Sequence, residues 1–128
     1  MTKRRKPPSA ASVAAWGRAF EAAAKTSTAA PPITEKEFMA QVVQLAKLRG
    51  WLCYHTYDAR NSAAGFPDLV LVRRERLIFA ELKRNGGKPT PEQLQWLAAL
   101  RAVATVTPAV HVRLWRPMDW ADMEAMLA

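Results

Sequence analysis

Apolar residues at helical spacing open the compact part of the chain, which begins at Ile33. Four of them recur every three or four positions: Phe38, Val42, Leu45 and Leu48. This spacing is typical of one buried face of an α-helix. Thr34 before the run and Gly50 after it are residues that favour the two ends of a helix. The pattern therefore predicts a first helix that packs on a core.

A change from helical to alternating spacing follows. Residues 51–57 are aromatic and β-prone, and residues 58–65 are polar and small, so we expect a strand and then a loop. Residues 68–73 and 77–83 flank a turn at Arg74-Glu75 and predict an antiparallel hairpin. Pairing outward from this turn sets three pairs opposite each other: Val72 with Leu77, Val70 with Phe79, and Asp68 with Glu81. Both faces of the hairpin are apolar, which predicts a central position in a sheet between helices.

The second half of the chain predicts a helix, a strand and a helix. Thr90 caps the first of these, with Pro91 in its first turn, and its inward-facing residues are expected to be Leu94, Leu97, Ala98 and Leu100. A fourth strand is predicted where apolar residues alternate with polar ones: Val110, Val112 and Leu114. Residues 119–127 suggest a short closing helix. The predicted order is α-β-β-β-α-β-α, an α/β protein.

Residues 1–32 differ from the domain expected over residues 33–128. The arm opens with a basic run that two prolines close: Lys3, Arg4, Arg5 and Lys6. Such a run contacts phosphates without reading sequence, or it is simply a solvated tail. Within residues 10–25, apolar residues at helical spacing suggest an amphipathic helix that docks on the body or on a second subunit: Val13, Trp16, Phe20 and Ala24. Residues 26–32 are interpreted as its linker.

Composition narrows the class of protein. The 128 residues suit one domain, and 19 Lys and Arg against 11 Asp and Glu give a net charge of +8, which indicates an anionic partner. One cysteine, Cys53, and no Cys/His cluster of suitable spacing exclude a disulfide-stapled fold and a structural zinc site. No apolar run is long enough to span a membrane. We therefore expect a cytoplasmic protein with no membrane partner.

Two carboxylates, Asp68 and Glu81, face each other at the end of the hairpin. Opposed like charges cost stability, so a cation or a bound proton is expected between them. Mg²⁺ takes one or two carboxylates, waters and substrate phosphate oxygens, and the backbone carbonyl of Leu82 offers a further ligand. Lys83 on the same face can polarise a water and offset charge at phosphorus. The pattern suggests phosphodiester hydrolysis. An exposed hairpin end on which a Glu/Lys pair occurs by chance would show the same sequence pattern.

These residues resemble a known family. The motif comprises Gly65-Phe66-Pro67-Asp68, then Glu81-Leu82-Lys83, then a helix bearing a glutamine. It is similar to the PD-(D/E)XK nuclease superfamily, specifically its VRR-NUC branch, from about Thr34 to Pro117. The resemblance implies a restriction-endonuclease-like core with a mixed central sheet flanked by helices. It also implies DNA cleavage that depends on Mg²⁺, or on Mn²⁺ in its place, and leaves 5′-phosphates. It assigns Asp68 and Glu81 to the metal and Lys83 to the attacking water.

The resemblance also places an acid on the first helix and a glutamine on the helix after the motif. The matching residues are Glu37, followed one turn later by Gln41, and Gln93 in Thr90-Pro91-Glu92-Gln93. Thr34 with Glu37, and Thr90 with Gln93, also fit capping boxes. Whether Glu37 binds metal or caps its helix is therefore open, and Gln93 is expected to support local structure near the site. Glu35 lies about 200° around the helix from Glu37 and is expected to face elsewhere.

Four further residues near the motif are candidate phosphate contacts: Arg60, Asn61, Arg84 and Lys88. Together the observations predict a metal-dependent DNA endonuclease acting on branched, flapped or duplex DNA in replication, recombination or repair. Because one small chain has one site, cutting two strands suggests a homodimer. The rival hypothesis is a non-catalytic DNA-binding or interaction protein on a nuclease-like scaffold.

Overall fold

The structure is a computed structural model that describes residues 32–56 and 63–128. Its elements are α1 (Glu35–Leu48), β1 (Leu52–His55), β2 (Leu69–Arg73), β3 (Arg76–Leu82), α2 (Pro91–Val106), β4 (Val110–Trp115), a 3₁₀ turn (Pro117–Asp119) and α3 (Trp120–Leu127). This order confirms the α-β-β-β-α-β-α prediction.

The four strands form one mixed sheet in the order β1-β2-β3-β4. β1 and β2 pair antiparallel, as do β2 and β3, whereas β3 and β4 pair parallel across the α2 connection. Val70 lies opposite Phe79 and Val72 opposite Leu77, so the predicted hairpin register is confirmed. The hairpin is central in the sheet, as its two apolar faces predicted.

One face of the sheet carries the main core, beneath α1 and α3. Alternate residues of the central strands are buried there with the apolar sides of both helices, including Phe38, Val42, Leu45, Leu71, Ile78, Trp120 and Met123. The prediction that Leu48 belongs to this stripe was wrong, since its side chain is 38% exposed. Ala46 is buried in its place, and Leu48 lies about 200° around the helix from it.

The other face of the sheet is covered by α2, which packs against β4. Leu97 is buried and Leu100 is half-buried, as expected. Leu94 and Ala98 were wrongly predicted to face inward, because both are exposed. The covered stripe of the helix consists of Gln93, Trp96, Leu97, Leu100 and Ala104. Since α2 covers a single sheet from outside, only this narrow stripe is removed from water.

Some predictions fall on residues outside those described. They comprise the basic run Lys3, Arg4, Arg5 and Lys6, the apolar spacing within residues 10–25, and the loop residues Arg60 and Asn61. Within the described ranges, no helix combines the length and the apolar character that crossing a membrane requires.

Candidate active site

The sheet brings Asp68 and Glu81 together at one end of the β2–β3 hairpin. Leu69 pairs with Ala80, so Asp68, which directly precedes β2, is next in register to Glu81 near the end of β3. Side chains alternate along a strand, which places Glu81 on the same face as Phe79 and on the side of α2. The carboxylates thus lie at a strand end under the first turns of α2.

Glu81 is a buried acid with only part of its hydrogen-bonding capacity used. Its side chain is 1% exposed, and its Oε1 accepts a hydrogen bond from Nε2 of Gln93 at 3.1 Å. Its Oε2 is buried and receives no hydrogen bond from an N–H or hydroxyl group of the described residues. Burial, followed by a hydrogen bond with Asp68 and the charge of Asp68, raises the pKa of Glu81 to about 9, against the opposing effect of Lys83. The metal-free site therefore favours a proton on this carboxyl group.

Asp68 is fixed by the backbone of the neighbouring strand. The Leu82 N–H donates to Asp68 Oδ2 at 2.9 Å. Because one oxygen is held by a backbone amide, the carboxylate has a defined orientation beside Glu81. Leu82, whose carbonyl was predicted as a metal ligand, thus contributes its amide to the site.

Lys83 follows β3 and is largely buried, with 9% of the residue exposed. Its backbone N–H donates to the Trp115 carbonyl at 3.0 Å, which extends the parallel pairing beyond the end of the strand. Its Nζ lies 4.0 Å from Glu81 Oε1. The structure therefore brings together Asp68, Glu81 and Lys83, the three residues that the motif predicted.

Gln93 serves the helix cap and the site at once. Its backbone N–H donates to Thr90 Oγ1 at 3.2 Å, and its Oε1 accepts from the Thr90 N–H at 2.8 Å, which completes the predicted capping box. The amide oxygen is therefore committed to the cap, and the amide nitrogen is left to donate to Glu81. The cap thus sets which atom of Gln93 faces the carboxylate.

The two acids of the first helix, Glu35 and Glu37, have different surroundings. Glu37 Oε1 accepts from the Thr34 hydroxyl at 3.0 Å, and the Glu37 N–H donates to Thr34 Oγ1 at 3.1 Å, so Glu37 belongs to the helix cap. The charge of Glu35 contributes to the raised pKa of Glu81. Glu35 is exposed and precedes Val42 by seven residues, or two helical turns, so the two residues share one side of the helix, which was the missed signal for its influence on Glu81.

The remaining predicted residues lie around this centre. Gln41 is half-buried on α1, and its Oε1 is buried with no hydrogen-bond partner among the described residues. Arg84 and Lys88 are exposed in the loop after β3. Arg116 Nη2 donates to the Gly87 carbonyl at 2.9 Å and ties that loop to the segment after β4. The loop thus offers two exposed cations beside the site.

The donor set suits a hard divalent cation. Among the described residues, no group of three or more His, Cys, Asp and Glu side chains forms a metal cluster. Mg²⁺ does not require one, because it typically uses one or two carboxylates and completes its shell with water and phosphate oxygens. Asp68 and Glu81, with the unpartnered Glu81 Oε2, fit that requirement.

Comparison with known proteins identifies a family. The model of the VRR-NUC domain matches residues 12–113, more than half of the chain, and this range includes Asp68, Glu81, Lys83 and Gln93. The curated proteins and the solved structures contain no match.

Proposed function

Because the chain belongs to the VRR-NUC family of nuclease domains, within the restriction-endonuclease-like superfamily, we propose that it is a Mg²⁺-dependent deoxyribonuclease. The family assignment indicates a DNA-processing domain, and we propose the metal dependence from the residues of the site. One observation carries it: two opposed carboxylates, one of them buried with an unpartnered oxygen, beside a lysine ammonium group. Like charges held together in this way favour an external cation.

Asp68 and Glu81 would hold the cation, with the Leu82 carbonyl as a further ligand. Leu82 N–H and Gln93 Nε2 each bind one carboxylate oxygen, so the carboxylates enter the reaction already oriented. When bound, Mg²⁺ polarises the phosphate and favours ionisation of a water. Glu35 adds negative potential at the same place and would increase the attraction for a divalent cation.

Lys83 supplies the positive charge that the protein itself contributes. Its ammonium group lies 4.0 Å from Glu81 Oε1 and is largely buried, so its field acts where solvent screening is weak. We assign it to orienting the attacking water and to offsetting charge that develops on the phosphate oxygens. In the hydrolysis the water gives up a proton to solvent as its oxygen forms the new P–O bond, the P–O3′ bond breaks, and the leaving 3′-oxygen takes up a proton from solvent. The products are a 5′-phosphate and a 3′-hydroxyl.

DNA contacts are assigned to the basic groups around the site. Arg84 and Lys88 are exposed beside Lys83 and would bind neighbouring phosphates without reading sequence. Arg60, Asn61 and the basic run of the N-terminal arm remain predictions of the same kind. Selectivity for branched or flapped DNA, and a homodimer that cuts two strands, complete the proposal.

Cleavage of a labelled DNA panel tests this function. Junction, flap, single-stranded and duplex DNAs are incubated with Mg²⁺, Mn²⁺ or EDTA, and the wild type is compared with Lys83→Ala. The expected result is metal-dependent cutting that falls about 10²- to 10³-fold in the variant while DNA binding persists. Lys47→Ala, an exposed lysine on α1, is the matched control and should cut normally. Tight DNA binding without cutting by any of these proteins would favour the non-catalytic scaffold.

A further inference from the structure

Trp96 on the second turn of α2 holds the loop that leads into Asp68. Its indole N–H donates to the Ala64 carbonyl at 3.1 Å. The rings of Trp96 and Phe66 form a T-shaped pair, with centroids 5.1 Å apart and an interplanar angle of 81°. Phe66 and Phe79 of β3 form a second T-shaped pair, with ring centroids 6.1 Å apart and an interplanar angle of 87°. The residues just before Pro67-Asp68 are therefore packed between α2 and the sheet.

The backbone of this loop approaches α2 so closely that only glycine fits at position 65. Gly65 has a φ of +89°, and a Cβ built there would lie 2.4 Å from the Glu92 carbonyl carbon and 2.7 Å from the Gln93 nitrogen. No side chain can occupy that space without moving one of the two backbones. The loop and the first turn of α2 are thus in direct backbone contact.

The two partners in this contact each lead to a group at the site. The loop continues through the buried Pro67 into Asp68, and the first turn of α2 carries Gln93, whose Nε2 donates to Glu81. A displacement of the loop from the helix would change the distance between Asp68 and Gln93, and Glu81 lies between them. Trp96 lies one turn beyond Gln93 and makes the side-chain bond that resists this displacement.

We infer that Trp96 is a positioning residue for the proposed hydrolysis. By binding Ala64 and Phe66 it holds the loop against α2, so that Asp68 and Gln93 keep fixed places around Glu81. The inference rests on the proposed function, and it adds a residue beyond the proposed metal ligands and Lys83.

Trp96→Phe tests the inference because it removes the indole N–H and keeps an aromatic ring against Phe66. We expect kcat to fall about tenfold with little change in KM for DNA, because a small misplacement of reacting groups lowers the rate more than substrate binding. The Mg²⁺ concentration for half-maximal cutting should rise, and calorimetry should show weaker Mg²⁺ binding. A purely structural role would not change these two metal measurements.

Trp120→Phe is the matched control. Trp120 is 1% exposed, and its indole N–H donates to Glu124 Oε1 at 2.7 Å, so the same substitution removes a comparable hydrogen bond from the core. We expect it to lower Tm more than Trp96→Phe does, and to leave kcat per folded molecule and the Mg²⁺ requirement unchanged.

A double-mutant cycle with Gln93→Ala completes the test. If Trp96 acts through the geometry that includes Gln93, the double variant should cut no more slowly than Gln93→Ala alone. Additive losses, or an unchanged kcat and Mg²⁺ requirement in Trp96→Phe, would overturn the inference. A wild type that cuts no DNA would overturn the proposed function instead, and the calorimetric Mg²⁺ affinities would still decide whether Trp96 positions the carboxylates.

Discussion

Both ends of the β2–β3 hairpin gather like charges, and they neutralise them differently. At the turn end, Arg73 donates to the Leu127 carbonyl and Arg76 to the Met126 carbonyl at the end of α3. Both guanidinium groups also lie over the Trp51 ring, with their Cζ atoms 4.8 Å (Arg73) and 5.1 Å (Arg76) from the ring centroid. At the other end, Asp68 and Glu81 face each other, and one oxygen of Glu81 has no hydrogen-bond partner in the described part of the chain.

The difference lies in what the fold supplies at each end. The last carbonyls of a helix lack intrahelical donors and carry partial negative charge, so the end of α3 accepts hydrogen bonds from both arginines within the protein, and Arg73 Nε alone of these groups is buried without a partner in the described residues. The acidic end has one lysine at 4.0 Å and needs a proton or a cation from outside. The comparison indicates that the turn end contributes stability, and that the acidic end gives up stability for a binding function.

Glu81→Gln should separate these two contributions most clearly. We expect cutting to fall about a thousandfold, because even residues that touch a metal only indirectly are worth about 10- to 100-fold. Tm near pH 8 without metal should stay the same or rise, because the amide is neutral and the folded chain no longer has to take up a proton at this position. A DNA cleavage assay and a melting curve on one preparation measure both effects. A fall in Tm would show that the acidic end is stabilising after all.

Arg73→Ala should have the opposite effects, lowering stability and leaving cutting unchanged. It removes hydrogen bonds to the Arg49, Leu127 and Ala128 carbonyls and the contact with Trp51. We expect a clear loss of stability, measured as a lower midpoint of urea unfolding, with cutting per folded molecule retained. Arg74→Ala, at the neighbouring exposed arginine, should change stability by less than about 0.5 kcal/mol. Equal losses in the two variants would refute the special role of the turn end.

The pH dependence of stability should come from the acidic end. Folding raises the pKa of Glu81 from 4.5 to about 9, so the folded chain binds a proton that the unfolded chain has released across this interval. Stability of the metal-free protein should therefore fall as pH rises from about 5 to about 9. Melting curves in EDTA measure this slope, which Glu81→Gln should flatten and Mg²⁺ should partly reverse at high pH. A wild-type slope unchanged by the substitution would point to other groups.

The smallest expected effects distinguish the two acids of α1. Glu35→Gln should raise the Mg²⁺ concentration for half-maximal cutting a few-fold, because its charge acts on Glu81. Glu37→Gln should leave the Mg²⁺ requirement unchanged and cost at most about 1 kcal/mol through the cap with Thr34. Metal titrations of both variants make the comparison. A higher Mg²⁺ requirement in Glu37→Gln, and not in Glu35→Gln, would indicate that Glu37 takes part in metal binding.

Local pairing rules explain why the hairpin could be predicted from sequence. A short turn at Arg74-Glu75 determines which residues face each other, and this places Asp68 next to Glu81 and Lys83 on the same face. The Thr90–Gln93 capping box is equally local and was also confirmed. The inward face of α2 could not be found in this way, because Leu94 and Ala98 are as apolar as Leu97 and the packing of the helix decides among them.

The order of elements, the hairpin register and the grouping of Asp68, Glu81 and Lys83 could be read from the sequence, because each depends on neighbours along the chain or across one turn. Packing between elements decided that the charge of Glu35 acts on Glu81, that Gln93 donates to Glu81, and that Trp96 binds the loop before Asp68. These contacts join elements far apart in sequence. They depend on the rotation and depth at which each helix packs on the sheet, which no local spacing specifies.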